Sequence, residues 1–226
     1  MAAEWAIGLL SLVLSALPLN GIGAFLLIFY LSTSAGIEKT AVLRNKQIIV
    51  FGITMTLLCV GIAVALPVLY SGNSLLFNLK RICLLSLLWP IAYIDFKTCR
   101  IPNLFILAGC ACRLIIFLFE LFFERDGILP RAGAELAACA VLGAAALICG
   151  LLFKNALGPG DIKLFALMGL LLGLDGIWGS VLASLLVSFI ISIVLLSTKR
   201  KTRKDTMPFA PAIMIGTYLS VLLIGM

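Results

Sequence analysis

Read from its N-terminus, the chain is a succession of apolar stretches, most of them near the length of roughly 20 residues that a helix needs to cross a bilayer. They run near 5–30, 48–70, 79–95, 102–123, 133–153, 162–174, 177–197 and 207–225. The pattern predicts an all-α, polytopic transmembrane helical bundle of about eight spans. The sixth stretch, Leu164 to Leu174, falls below the usual length, which suggests a start deep in the membrane or a cavity shared with water. The first span opens with Glu4 and has no Lys or Arg ahead of it, so it lacks the basic lead of a cleavable signal and is expected to stay in the mature protein. A polar stretch, Ser32 to Gln47, follows the first span, and Ser71-Gly72-Asn73-Ser74 follows the second. Beyond about residue 79 the connections are short. The expected division is a two-helix membrane segment, 1–78, and a six-helix core, 79–226.

Composition agrees with this and removes whole classes of function. Of 226 residues, 63% are hydrophobic and 12% charged, against about 45–50% and about 25% in soluble domains. A water-soluble core of this length could not hide so much apolar surface, which excludes a soluble enzyme, a disordered chain and a secreted disulfide scaffold. The net charge of +7 reads as Lys and Arg kept on one side of a membrane. Twelve of them fall in loops on one side, near 31–47, 96–101, 154–161 and 198–206, against four on the other. The positive-inside rule puts those loops in the cytoplasm and both termini outside. The basic run Lys199 to Lys204 lacks interleaved aromatics, so no nucleic-acid partner is expected; the bilayer is. With no His, histidine-assisted nucleophiles and His-ligated metals are excluded, and the seven Cys form no C-x-x-C pair. No metal or cofactor is expected.

The chemistry must then come from ten acidic residues. Glu4, Glu120, Glu124, Asp126, Glu135 and Asp175 fall in outer loops or at helix ends, and Glu38 and Asp205 in charged loops, where a solvated carboxylate is the ordinary reading. Arg113, inside a span, pairs with Glu120 two turns on, snorkels to a boundary, or contacts substrate or lipid. Asp95 and Asp161 differ: each sits where an apolar span meets the same membrane face, and an ionisable group in that place is a functional hypothesis by default. They lie 66 positions apart, enough for one helix out, a short loop and one helix back. Two carboxylates sharing a low-dielectric site do not both ionise cheaply, so one keeps a proton. Such a pair activates water for attack on a peptide carbonyl without metal or nucleophile. A proton- or cation-coupled small transporter using the same two carboxylates is the rival reading.

The flanks supply supporting candidates. Gly158-Pro159-Gly160-Asp161 reads as a tight turn holding the backbone open beside the second acid. Lys97 and Lys163 each follow an aspartate by two positions and are placed to lower its pKa or contact substrate, with a membrane-anchor role equally open for Lys97. Pro102 suits the first turn of the next helix, with Asn103 bonding local backbone. Pro208, Phe209 and Pro211 mark an unwound approach to the last span that offers backbone groups to an extended peptide.

Taken in order, Asp95…Ile101-Pro102-Asn103, Gly158-Pro159-Gly160-Asp161-Ile162-Lys163-Leu164 and Pro208-Phe209-Ala210-Pro211 resemble the type IV prepilin peptidases, GxGD-type intramembrane aspartic proteases. The resemblance covers roughly 79–226. It implies an aspartic endopeptidase of the cytoplasmic membrane, of the type IV pilus and protein-secretion kind. Such enzymes cut the short basic leader from prepilin-like precursors on the cytoplasmic side, just before a hydrophobic helix and typically after Gly. It implies Asp95 and Asp161 as the catalytic pair, and Gly158, Gly160 and Lys163 as the second motif. Larger members carry a domain with paired C-x-x-C cysteines after the first helix, and many also methylate the new N-terminus. The corresponding loop here, about 32–47, is short and Cys-free, which argues against methyltransferase activity.

Overall fold

The computed structural model describes residues 2–34, 45–152, 157–198 and 207–223, the side chains of 2–7 and of 175 excepted. Glu38, Lys39, Arg44, Lys154, the basic run 199–204 and Asp205 lie outside the described residues. Those described form seven helices and no strand: α1 (Ala2–Ser34), α2 (Lys46–Leu69), α3 (Leu75–Thr98), α4 (Asn103–Phe123), α5 (Ile128–Leu152), α6 (Pro159–Ser197) and α7 (Ala210–Leu223). The all-α polytopic bundle is therefore what the chain adopts. Six segments are long and apolar enough to cross a membrane: Gly8–Thr33, Lys46–Leu69, Leu75–Thr98, Asn103–Phe123, Ile128–Leu152 and Gly176–Ser197.

The chain divides into two compact units between Pro90 and Ile91, inside α3. The first unit is held by close packing around Ser86. Its hydroxyl donates to the Ile82 carbonyl at 2.7 Å, accepts from Asn20 Nδ2 at 3.2 Å and meets Cys59 Sγ at 3.7 Å, so one small polar residue joins α1, α2 and α3. Gly23 lets α1 and α3 approach: a Cβ there would lie 2.7 Å from the Ser86 carbonyl oxygen. Small residues and short side-chain hydrogen bonds are how helices associate where lipid offers no hydrophobic drive.

In the second unit the decisive feature is a reversal within α6. Phe165, Trp178 and Leu185 line one cavity of about 260 Å³ together with Cys149 and Phe209. In a straight helix Phe165 and Leu185 would stand about 30 Å apart. The chain instead doubles back at Gly173, whose φ of 69° and ψ of −177° break the helix in a conformation that L side chains rarely adopt. The rising leg, 159–172, runs antiparallel to α5, with Gly169 against the Ala138 backbone, Gly143 against Ala166 and Gly150 against Ile162. It runs parallel to α4, where Gly109 receives Leu167. The falling leg packs on α7, with Gly216 pressed to the backbone of Ser184. The stretches expected at 162–174 and 177–197 are these two legs.

Glu120 and Glu135 correct the expectation of solvated outer carboxylates. Both are buried, at 6% exposure, with Arg113 between them and bonded to each, so two carboxylates share one positive charge in apolar surroundings.

Candidate active site

Asp95 is on the last turns of α3, one turn before the helix stops. Cys99 adopts a positive φ of 51°, returns its N–H to the Asp95 carbonyl at 2.8 Å and turns the chain toward α4. The Asp95 side chain is buried, at 4% exposure. Its carboxylate takes the Ala210 N–H at 2.9 Å, with Phe209 N–H as a second donor. Asp95 thus caps the free N–H groups at the start of α7 from another helix, where the helix dipole favours a negative charge. The non-helical stretch 207–209 does offer backbone donors, and here they serve Asp95.

Asp161 is set by its own sequence. Gly158 is the N-cap of α6, Pro159 takes the first helical position, where its missing N–H costs nothing, and Asp161 falls at the third. From there its Oδ2 accepts the Gly158 N–H at 3.1 Å, while the Asp161 N–H bonds the Gly158 carbonyl at 3.0 Å. The turn expected around Gly-Pro-Gly-Asp is therefore a helix start. The other oxygen, Oδ1, is buried with no protein partner among the described residues. Burial pushes the Asp161 carboxyl up from 3.8 to about 6, the Asp95 charge adds to the rise, and the Gly158 N–H opposes it. The two acids thus act on each other electrostatically.

The loops that carry the acids dock on one another. Lys163 Nζ donates to Asn103 Oδ1 at 2.9 Å, so Asn103 bonds the opposite helix start in place of its local backbone. A Cβ on Gly160 would lie 2.9 Å from Ile101 Cβ and 3.4 Å from its backbone nitrogen. Pro102 is buried and is the N-cap position of α4. Phe209 packs on Phe165, ring centres 5.8 Å apart. Pro208 is half-buried in the stretch before α7, and Pro211 lies in its first turn. Lys97 is exposed at the end of α3. Of the residues singled out from sequence, Asp95, Asp161, Gly158, Gly160, Lys163, Asn103 and Phe209 thus take part in the contacts of these loops and helix starts. Ile101 and Ala210 act there too, through a Cβ and a backbone N–H, and neither carries a chemical group that sequence could flag. No group of metal-ligating side chains occurs among the described residues.

The profile of the type IV leader peptidase family matches residues 82–197, just over half of the chain. A curated protein from Bacillus subtilis (strain 168), "Prepilin leader peptidase/N-methyltransferase", is 29% identical over 143 residues, which cover 61% of this chain and 53% of that one. The chain thus spans about half the length of the curated relative it matches. No solved structure gives a significant match.

Proposed function

The chain belongs to the type IV leader peptidase family, and from that premise we propose that it is an aspartic endopeptidase that removes the short basic leader of prepilin-like precursors at the cytoplasmic face of the membrane. The observation that carries the reading is a pair of aspartates, each with its carboxylate on backbone N–H groups of a helix start, with the charge of Asp95 acting on a half-buried Asp161. In this reading residues 79–226 are the catalytic core.

Asp95, held by backbone N–H donors of 209 and 210, serves as the ionised member and takes a proton from water as that water attacks the scissile carbonyl. Asp161, titrating at about 6, carries the proton that polarises the carbonyl oxygen and then passes to the leaving amine, its Oδ1 being the oxygen with no protein partner. Substrate closing over the pair removes water and holds the proton more firmly. Gly158 leaves the space beside the Asp161 carboxylate free of a side chain, Gly160 lets the Ile101 loop close on the helix start, and Lys163 with Asn103 fixes the two loops. Pro102, Pro208 and Pro211 stiffen the segments that flank the acids, and Lys97, exposed beside Asp95, meets the substrate backbone or the lipid surface. Twelve basic residues grouped on one side by the loop count support the cytoplasmic placement. Methyl transfer is not part of the proposal.

The test is purified protein in detergent, with no gradient, and a synthetic peptide of a basic leader, Gly and an apolar segment. Cleavage after Gly is expected, abolished by Asp95→Asn or Asp161→Asn alone with monodispersity retained. Full-rate cleavage by either single variant would show that the acids are not a catalytic pair, and no cleavage by wild type would favour the transporter.

A further inference from the structure

Away from the two aspartates, α4 and α5 share a buried ionic cluster that the proposed reaction does not use. Arg113, at 5% exposure, donates from Nε to Glu135 Oε2 at 2.7 Å and from Nη2 to the same oxygen. Nη2 also meets Glu120 Oε2 at 2.9 Å, and the guanidinium lies over Phe117 at 5.6 Å. Charges this deep in apolar surroundings are tolerated only where they are paired, so sliding α5 against α4 would strand them.

The cluster sits against the reversal of α6. A Cβ on Gly173 would lie 3.5 Å from Glu135 Cγ, so the turn at the head of the rising leg rests on the stem of the same glutamate that Arg113 holds. At the foot of that leg, Lys163 is bonded to Asn103 on α4. The two ties are spaced alike: Asn103 to Arg113 on α4 and Lys163 to Gly173 on the leg are each ten residues, about 15 Å of helix. The leg and α4 are thus pinned in parallel register at both ends, and the leg carries Asp161 while α4 continues directly from the Asp95 turn. We infer that Arg113 and Glu135 are positioning residues that set the height of Asp161 relative to Asp95 from the far end of the leg. A slip of one residue is about 1.5 Å, and a misplacement of about 1 Å can cost on the order of 100-fold in rate.

The inference rests on the peptidase reading, so its test includes a measurement that does not. In the full-length protein, Asp161 is titrated by carbon-13 NMR of labelled aspartate carboxyls, with the Asp161→Asn spectrum giving the assignment, and leader-peptide cleavage is followed in parallel. Arg113→Met is expected to lower the Asp161 titration from about 6, as the leg shifts away from Asp95 and burial is relieved. It is also expected to reduce kcat at least tenfold with KM within about twofold. The exchange Arg113→Glu with Glu135→Arg is expected to restore both. An unchanged titration in folded Arg113→Met overturns the inference. If that variant does not fold, the exchange decides: folding with a wild-type titration supports it, and failure to fold or a displaced titration overturns it. If wild type cuts no peptide while the titration still responds as stated, the peptidase reading fails and the positioning role stands.

Discussion

Replacing Gly160 by Ala separates stability from function. The added Cβ would stand 2.9 Å from Ile101 Cβ and 3.4 Å from both Ile101 Cγ1 and its backbone nitrogen. No rotamer relieves this, because a Cβ and a backbone atom move only with the chain; one loop must give by several tenths of an ångström. Overpacking of that kind costs about 1–3 kcal/mol, while Ala in place of Gly inside a helix returns about 0.5–1 kcal/mol. The net loss of stability is therefore small, on the order of 1 kcal/mol. Activity responds differently, since Asp161 is the next residue and moves with the loop: a fall in kcat/KM on the order of 10- to 100-fold is expected. Peptide cleavage and thermal unfolding of the same preparations measure the two. Ile101→Ala should not rescue Gly160→Ala, because it keeps the offending Cβ, whereas Ile101→Gly should recover part of the rate. Wild-type kcat/KM in Gly160→Ala would refute the claim that this contact fixes the site.

Other outcomes follow from the same geometry. Because Asp161 is raised to about 6 and is assigned the protonated role, kcat/KM should fall as pH rises past that value; a rate flat from pH 5 to 8 would exclude the assignment. In Asp95→Asn the second cause of the rise disappears, so Asp161 should titrate below about 6 while burial holds it above 3.8, read by carboxyl NMR. The sign for stability is fixed as well: a carboxyl raised in the folded state favours folding less as pH climbs from 3.8 through about 6, and Asp161→Asn should flatten that slope in thermal unfolding. Gly216→Ala drives a Cβ into the Ser184 backbone and should lower the melting temperature by several degrees or prevent folding.

What sequence disclosed follows the range of the interactions. The apolar stretches were legible because span length is local, down to the division of α6, where residues 175–176 separate two stretches and Gly173 makes the break. Asp161 was legible because its cap lies three residues back in Gly158. The bond from the Ala210 N–H to Asp95 joins residues 115 apart and uses a backbone group that every non-proline residue possesses. Arg113 was matched to Glu120 by helical spacing, whereas Glu135, 22 positions on, looked like one more polar residue near a helix end. Its burial comes from tertiary contacts, with Arg113 on α4 and with the turn at Gly173 of α6. Asn103 and Lys163 were singled out separately; their bond exists only once the rising leg lies beside α4.

The rising leg of α6 has a further consequence for the bilayer. From Pro159 to the break at Gly173 it offers fourteen residues, a rod of about 21 Å set into a hydrocarbon layer of about 30 Å. Leu164, Leu167, Met168, Leu171 and Leu172 are all at 2% exposure or less, so the shortfall of about 9 Å is walled by the longer helices around it and not by lipid tails. The foot of that rod is where Asp161 stands. The place of that acid is then metered from the reversal: one added helical turn between Asp161 and Gly173 would carry it about 5.4 Å further from the break.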